Sequence, residues 1–366
     1  MASSHSDTYY CLLNATKNLT EENASYFLYN ATASFAVTVV LPLIMFFGVL
    51  INSAFFYVVG RVRRMHTVTN LFLCNLAVAD TLFLILGCGE QILLYINSPV
   101  DGDRFSVGRA GCVIIPLLIY TCYFATLAFV TIVSVHRFFA TCRPLNLKMI
   151  RSKSRAIKLS VIAWIVSMMM AMMIIPESYN MVIVCVHWPS KPMYAGFPGM
   201  IGFCVPKADW VHAFADLFRC IPFFATMIGN SMLYVSIMIC LLSRSTKRRQ
   251  QQYDEPSSQF SNAQKRNGAS TTKKITPLHS QVARMLVING IVFFLCQAPH
   301  QVASLASAFG YMSGRHTSVL DPGQFLMFTW FSKALVYVNS VLNPIIYNLT
   351  NNRYRKAFRE SLGWKC

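Results

Sequence analysis

The sequence predicts an all-α membrane protein, a seven-transmembrane helix bundle, and three observations carry that prediction. The 366 residues are 55% hydrophobic and only 13% charged, with 27 Phe and 18 Met, a balance that soluble domains rarely show. Seven apolar runs, at 35–60, 69–96, 110–141, 157–175, 211–243, 281–309 and 324–349, are about as long as or longer than the ~20 residues a helix needs to cross a bilayer. The basic residues are parcelled out between these runs and fall mostly on one side.

Taken in order, residues 1–34 form a polar amino-terminal tail with four N-x-Ser/Thr sequons, at Asn14, Asn18, Asn23 and Asn30. Glycosylation uses such acceptors only on the luminal side. No cleavable leader is visible ahead of the first run, so the first span is expected to translocate the tail itself. The spans are expected to be helices, because backbone exposed to lipid must satisfy its own hydrogen bonds and the alternation of a barrel is absent. Pro116, Pro222, Pro299 and Pro344 fall inside spans, where proline is tolerated as a kink. In the second outer loop, MVIVCV and GMIGFCV flank a Pro/Gly-rich stretch and predict a β-hairpin. Residues 244–280, a third inner loop rich in Ser, Gln, Lys and Arg, hold too few apolar residues to fold alone and are expected to be disordered. Ser257, Ser258, Ser270 and Thr271 there are candidate phosphorylation sites, and Cys366 a candidate palmitoylation site. The seven-span domain thus covers 35–349, and 350–366 form a cytoplasmic tail.

Charge sets the orientation. Of the 32 Lys and Arg, 24 lie in the inner loops, the adjoining span ends and the tail, whereas ten of the 14 acidic residues lie on the outer side. The positive-inside rule puts the amino terminus outside and the carboxyl terminus in the cytoplasm. A nucleic-acid-binding reading of the +18 charge fails because that charge is divided between membrane spans.

Most of the twelve cysteines are read as small apolar residues within helices. Cys112, at the start of the third span, and Cys204, in the second outer loop, face an oxidising compartment where a bridge can persist. Cys185 in the same loop competes for that partner, with Cys11 left for whichever remains. Asp80 is the one acid deep in a span, and a buried ionisable group in a bilayer is a functional hypothesis by default. Asn52, Thr126, Asn339, Ser340 and Asn343 supply oxygens around it, a set suited to a hard monovalent cation such as sodium acting as an allosteric modulator. A hydrogen-bonded cluster that joins helices fits the spacing equally well.

The motifs together resemble those of rhodopsin-like (class A) G-protein-coupled receptors. They are Asn52 in GVLIN, LAVAD ending at Asp80, Cys112 after Gly108, His136-Arg137-Phe138 where the family usually has Asp-Arg-Tyr, Trp164, Phe293 with CQAP through Pro299, and NPIIY ending at Tyr347. Tyr354 and Phe358 in NNRYRKAFRESL resemble the short amphipathic eighth helix of that family. The resemblance implies a plasma-membrane receptor without catalysis or a cofactor of its own. An outside ligand would shift the population toward a state in which the sixth helix swings out and admits a heterotrimeric G protein. Arrestin, receptor kinases and membrane lipids are the other implied partners. His136, Arg137, Tyr234 and Tyr347 are the implied cytoplasmic switch, with Phe293, Gln297 and Pro299 at the hinge.

Departures from the family pattern mark where switching should differ. His136 replaces the acid beside Arg137, and His279 stands where many relatives carry a second acid on the sixth helix, so Arg137 lacks both usual partners. A hydrogen bond, for instance to Thr141 or the second inner loop, is the alternative restraint. Gln297 replaces a tryptophan, and Thr226 replaces a proline that reappears one turn earlier as Pro222.

For the ligand, the aspartate of amine receptors is here Ile119 and the retinal lysine is Tyr337, which argues against both ligand types. The outer halves of the spans offer Glu90, Gln91, Tyr120, Tyr123, Arg219, His300, Gln301 and Lys333, a mixed-charge, aromatic lining suited to a peptide. The sixth and seventh spans look similar to the neurotensin, ghrelin, thyrotropin-releasing hormone and neuromedin receptor group, and a neuropeptide is the expected ligand. Two alternatives are a receptor for an acidic small molecule or lipid, anchored by Arg219 and Lys333, and a seven-span transporter, for which internal repeats are missing.

Overall fold

The computed structural model describes residues 16–143, 152–208, 210–253, 276–312 and 322–363. Seven long helices run Ala31–Arg61, Val68–Asn97, Gly108–Cys142, Lys153–Met172, Trp210–Tyr253, Thr276–Met312 and Pro322–Thr350, numbered first to seventh here, and an eighth, Asn352–Ser361, follows. Among the described residues, six stretches are long and apolar enough to cross a bilayer. The 29-residue seventh helix carries Lys333, Asn339 and Asn343 among its apolar residues and packs against the first, second and sixth helices.

Local chemistry sets the ends and the irregularities. In the first helix a widened π turn, Ala36–Val40, precedes Pro42, whose missing N–H removes the donor that residue 38 would otherwise receive. Thr67 caps the second helix by accepting from the Asn70 N–H at 3.3 Å. Pro116, Pro222, Pro299 and Pro344 all lie inside continuous helices, as expected of membrane spans. Beside Pro222, the Thr226 hydroxyl donates back to the Phe223 carbonyl at 2.9 Å. The eighth helix buries Tyr354, Ala357 and Ser361, three positions on one face, and leaves its basic residues outside.

Two boundaries differ from the sequence expectation. The fifth helix runs to Tyr253 and the sixth begins at Thr276, both inside the segment expected to be disordered. Lys, Arg and Gln are good helix formers, so the helix continues past the membrane once the apolar run stops. The candidate phosphorylation sites and Cys366 lie outside the described residues, as do Asn14 and Cys11.

The amino-terminal tail is more ordered than its polarity suggests. Strand β1, Thr16–Asn18, pairs parallel with β2, Asn180–His187, and β2 pairs antiparallel with β3, Met200–Val205, the hairpin expected in the second outer loop. A short helix, Glu21–Phe27, follows β1. The Asp101 N–H then donates to the Phe27 carbonyl at 2.8 Å, joining the tail to the first outer loop. Leu19, Ala24, Val100, Val186, Tyr194 and Ile201 form a separate apolar core for this lid. The main core runs through the bundle and includes Phe72, Phe129, Phe223, Phe293, Met285 and Tyr347. Large apolar side chains on the outside of the helices, such as Phe46, Ile239 and Leu295, are exposed, as lipid contact requires.

Candidate functional site

Beneath the lid, the outer ends of the helices enclose a cavity of about 220 Å3. Glu90, Gln91, Tyr120, Tyr123, Arg219, His300, Gln301 and Lys333 all line it. Sequence reading therefore put every proposed contact residue around one space. Cys112 and Cys204 are bridged, with their Cα atoms 5.7 Å apart, which ties the start of the third helix to β3. Cys185 is also disulfide-bonded.

The electrostatics of the cavity were only partly foreseen. The Arg219 guanidinium donates to Glu177 Oε2 at 2.6 Å and Oε1 at 3.3 Å, to Asp216, and to the Tyr120 hydroxyl at 2.7 Å. It is thus already matched by two carboxylates, and this weakens the idea that it anchors an acidic ligand. Glu90 is paired with Arg104 of the first outer loop. Lys333 has no ion-pair partner within bonding distance among the described residues, and its ammonium lies 4.9 Å from the centre of the Trp330 ring. Burial raises the Asp101 carboxyl above its ordinary value, and the Lys333 charge pulls it back. Asp216 was anticipated as a partner of Arg219, whereas Glu177 and Arg104 were missed. Their sole sequence signal was that charge so near a span end demands a partner.

Gln297 lies on the cavity wall as well as at the hinge, and its Oε1 and that of Gln301 are buried without hydrogen-bond partners. One turn further in, Phe293 is fully buried against Phe294, which meets Phe223 at 5.8 Å between ring centres. The cavity wall and the hinge are therefore consecutive turns of one helix.

Deeper still, Asp80 accepts from the Asn343 amide at 2.6 Å and the Thr126 hydroxyl at 3.3 Å. Asn52 bridges the Gly48 and Ser340 carbonyls at 2.9 and 3.0 Å, and Asn339 is buried. Residues of four helices, the first, second, third and seventh, therefore form a compact polar knot, and Trp164 separately joins the fourth helix to the second by donating to Asn75 at 3.1 Å.

At the cytoplasmic end, Arg137 makes no ion pair among the described residues, and its Nε is buried without a partner. His136 is buried, with Nδ1 3.4 Å from the Thr69 hydroxyl and its ring edge-on to Phe72 at 5.9 Å. His136 thus meets Thr69 of the second helix, while residues 144–151 of the second inner loop and the side chain of His279 lie outside what is described. Tyr234 and Ser134 share a hydrogen bond of 2.9 Å. Tyr347 packs between Phe55 and Tyr354, each at 5.8 Å, and the Tyr354 hydroxyl donates to Asn70.

These positions coincide with a family description, 7 transmembrane receptor (rhodopsin family), that matches residues 51–347. The chain belongs to that family. The receptor is 28% identical over 362 residues to neuromedin-U receptor 2 of Mus musculus, covering 95% of this chain and 81% of that one. It is 28% identical over 363 residues to the pyrokinin-1 receptor of Drosophila melanogaster, covering 89% and 79%. With the human thyrotropin-releasing hormone receptor the identity is 25% over 334 residues, covering 88% and 77%. The receptor is accordingly a multi-pass membrane protein and not an enzyme or a transporter.

Proposed function

We propose that the receptor responds to a neuropeptide and passes the signal to a heterotrimeric G protein. The observation that carries this reading is the outer cavity, whose wall offers an ammonium without an ion-pair partner among the described residues, unpaired amide oxygens and tyrosine rings directly above the hinge turn. A peptide end supplies complementary groups for each, namely carbonyls, amides and rings. Names of similar chains, receptors for neuromedin-U, pyrokinin and thyrotropin-releasing hormone, point to the same ligand class. Binding that moves Gln297 moves Phe293 one turn below, and so biases the sixth helix. The test is a synthetic neuropeptide panel applied to purified receptor with a G protein, read as nucleotide exchange. Saturable acceleration by a peptide, lost on Lys333→Gln or Gln301→Ala, is the expected result. Activation by acidic lipids or small acids alone, with every peptide silent, overturns the peptide reading.

The Asp80 knot is proposed to hold a sodium ion in the resting state, with Asp80 and the Thr126 hydroxyl that meets it as the first oxygen ligands and Ser340, Asn339 and Asn343 of the seventh helix as candidates for the rest. Raising sodium should then lower agonist affinity, and Asp80→Asn should remove that dependence. Equal sodium sensitivity in the variant leaves the hydrogen-bonded knot as the whole explanation. Arrestin and receptor kinases as regulators, and anionic lipids beneath the basic inner face, complete the proposed set of partners.

A further inference from the structure

The third and fifth helices are joined by a ladder of polar contacts that runs toward the cytoplasm. Its first rung is the Asn230 amide donating to the Thr131 hydroxyl at 3.1 Å, and its second is Ser134 with Tyr234 at 2.9 Å. Beyond these, in place of another hydroxyl or amide pair, stand two cysteines. Cys142 ends the third helix and donates its thiol to the Ser236 carbonyl at 3.8 Å. Cys240, one turn past Ser236, donates to the Thr141 carbonyl at 3.8 Å. The two donations cross between the helices, so both thiols sit at one point of the contact between the third and fifth helices. Both are partly exposed, whereas Cys88, Cys122 and Cys220 are buried. Neither belongs to the cavity, the Asp80 knot or the switch residues.

We propose that Cys142 and Cys240 form a redox modification site, at which a peroxide-class oxidant converts the two thiols to a disulfide between the third and fifth helices. In the first step one thiol sulfur attacks a peroxide oxygen and gives up its proton, the O–O bond breaks, the departing hydroxide takes that proton to leave as water, and a sulfenic acid results. In the second the other thiol attacks that sulfur, the S–S bond forms and a second water leaves. Two thiols and one hydrogen peroxide thus give one disulfide and two waters, the sulfurs losing the two electrons that the peroxide gains. The cytosolic thiol pool reverses the bond, as it does for transient intracellular disulfides. A disulfide holds its Cα atoms about 4.4–6.8 Å apart. The oxidised rung therefore fixes the spacing of the two helices just beyond Arg137 and Tyr234, and it opposes the rearrangement that admits a G protein.

The cross-link is independent of the ligand reading, and only its effect on signalling rests on the proposed function. Full-length receptor in lipid nanodiscs is treated with hydrogen peroxide, its free thiols are blocked with N-ethylmaleimide, and it is digested without reductant for mass spectrometry. The expected product is a peptide pair joined through Cys142 and Cys240, absent after dithiothreitol and absent in Cys142→Ser and Cys240→Ser. Separate alkylation of both thiols after peroxide, sulfinic acid without a cross-link, or a thioester-bound acyl chain on either sulfur overturns the site. In membranes with added G protein, peroxide should lower basal nucleotide exchange at least two-fold, reversibly, and leave both serine variants unaffected. A cross-link that forms while exchange stays constant overturns the regulatory effect and not the chemistry.

Discussion

Two arginines point into the same bundle from opposite ends, and their surroundings are opposed. Arg219, under the outer lid, is held by Glu177, Asp216 and the Tyr120 hydroxyl. Arg137, at the cytoplasmic end, has a histidine where an acid is usual and an Nε with no partner. In a low-dielectric interior a matched charge fixes the elements that supply its partners, while an unmatched one is free to exchange them. Arg219 thus ties the fifth helix to the end of the fourth, and Arg137 is left available to whatever enters the cytoplasmic cleft.

The strongest way to break this contrast is Arg219→Gln. It strands Glu177 and Asp216 in a buried site, at a cost of about 3–5 kcal/mol. A large fall in the unfolding midpoint of purified receptor is expected, partly relieved by adding Asp216→Asn. An unchanged midpoint means that the pairing is ornamental. Next in size is Gly290→Ala, since a Cβ there would lie 2.4 Å from the Tyr234 ring and 2.5 Å from its hydroxyl. Such overpacking costs about 1–3 kcal/mol and should push Tyr234 off Ser134. Basal signalling should rise, and Tyr234→Phe should reproduce part of the rise. No change in either variant removes Tyr234 from the resting restraint.

His136→Asp sharpens the comparison from the other side by giving Arg137 its acid. About 1 kcal/mol of added restraint lowers an active population several-fold, so basal nucleotide exchange at matched surface expression should drop. A constant or higher value shows that Arg137 is governed by packing alone. The smallest effect is expected for Tyr354→Phe, which removes one hydrogen bond to Asn70, about 0.5–1.5 kcal/mol. Hydrogen exchange in the eighth helix should quicken while ligand affinity holds; protection equal to wild type would falsify the role assigned to that hydroxyl.

The spans were legible because membrane helices are written in uninterrupted apolar runs, and the cavity was legible because polar residues in such runs have few reasons to be there. Asp80, Asn343 and Tyr347 were found through motifs, and the third-to-β3 bridge through the redox logic of the outer compartment. What escaped were meetings of distant segments that no motif or redox compartment announces. Glu177 is an ordinary acid until the end of the fourth helix brings it to Arg219, whereas Asp216, three residues from Arg219 on the same helix, was within reach of sequence reading. Thr69 gives no hint that it will face His136, sixty-seven positions on. Strand β1 escaped for a related reason: Thr16, Lys17 and Asn18 have no alternating pattern, and they become a strand only because β2 offers a free edge.

That borrowed edge has a consequence for biogenesis. The tail cannot pair until residues 180–187 emerge, roughly 170 residues after it, which at ribosomal speed is about 10–30 s. During that interval Asn18, Asn23 and Asn30 wait on an unpaired chain in the lumen, open to the oligosaccharide transferase. Asn30, still exposed, caps the first helix by accepting from the Ala33 N–H at 2.7 Å. Access to these sequons and lid closure are therefore separated by the order of translation, and a ribosome that stalls between the second and fourth spans lengthens the window for the first at the expense of the second.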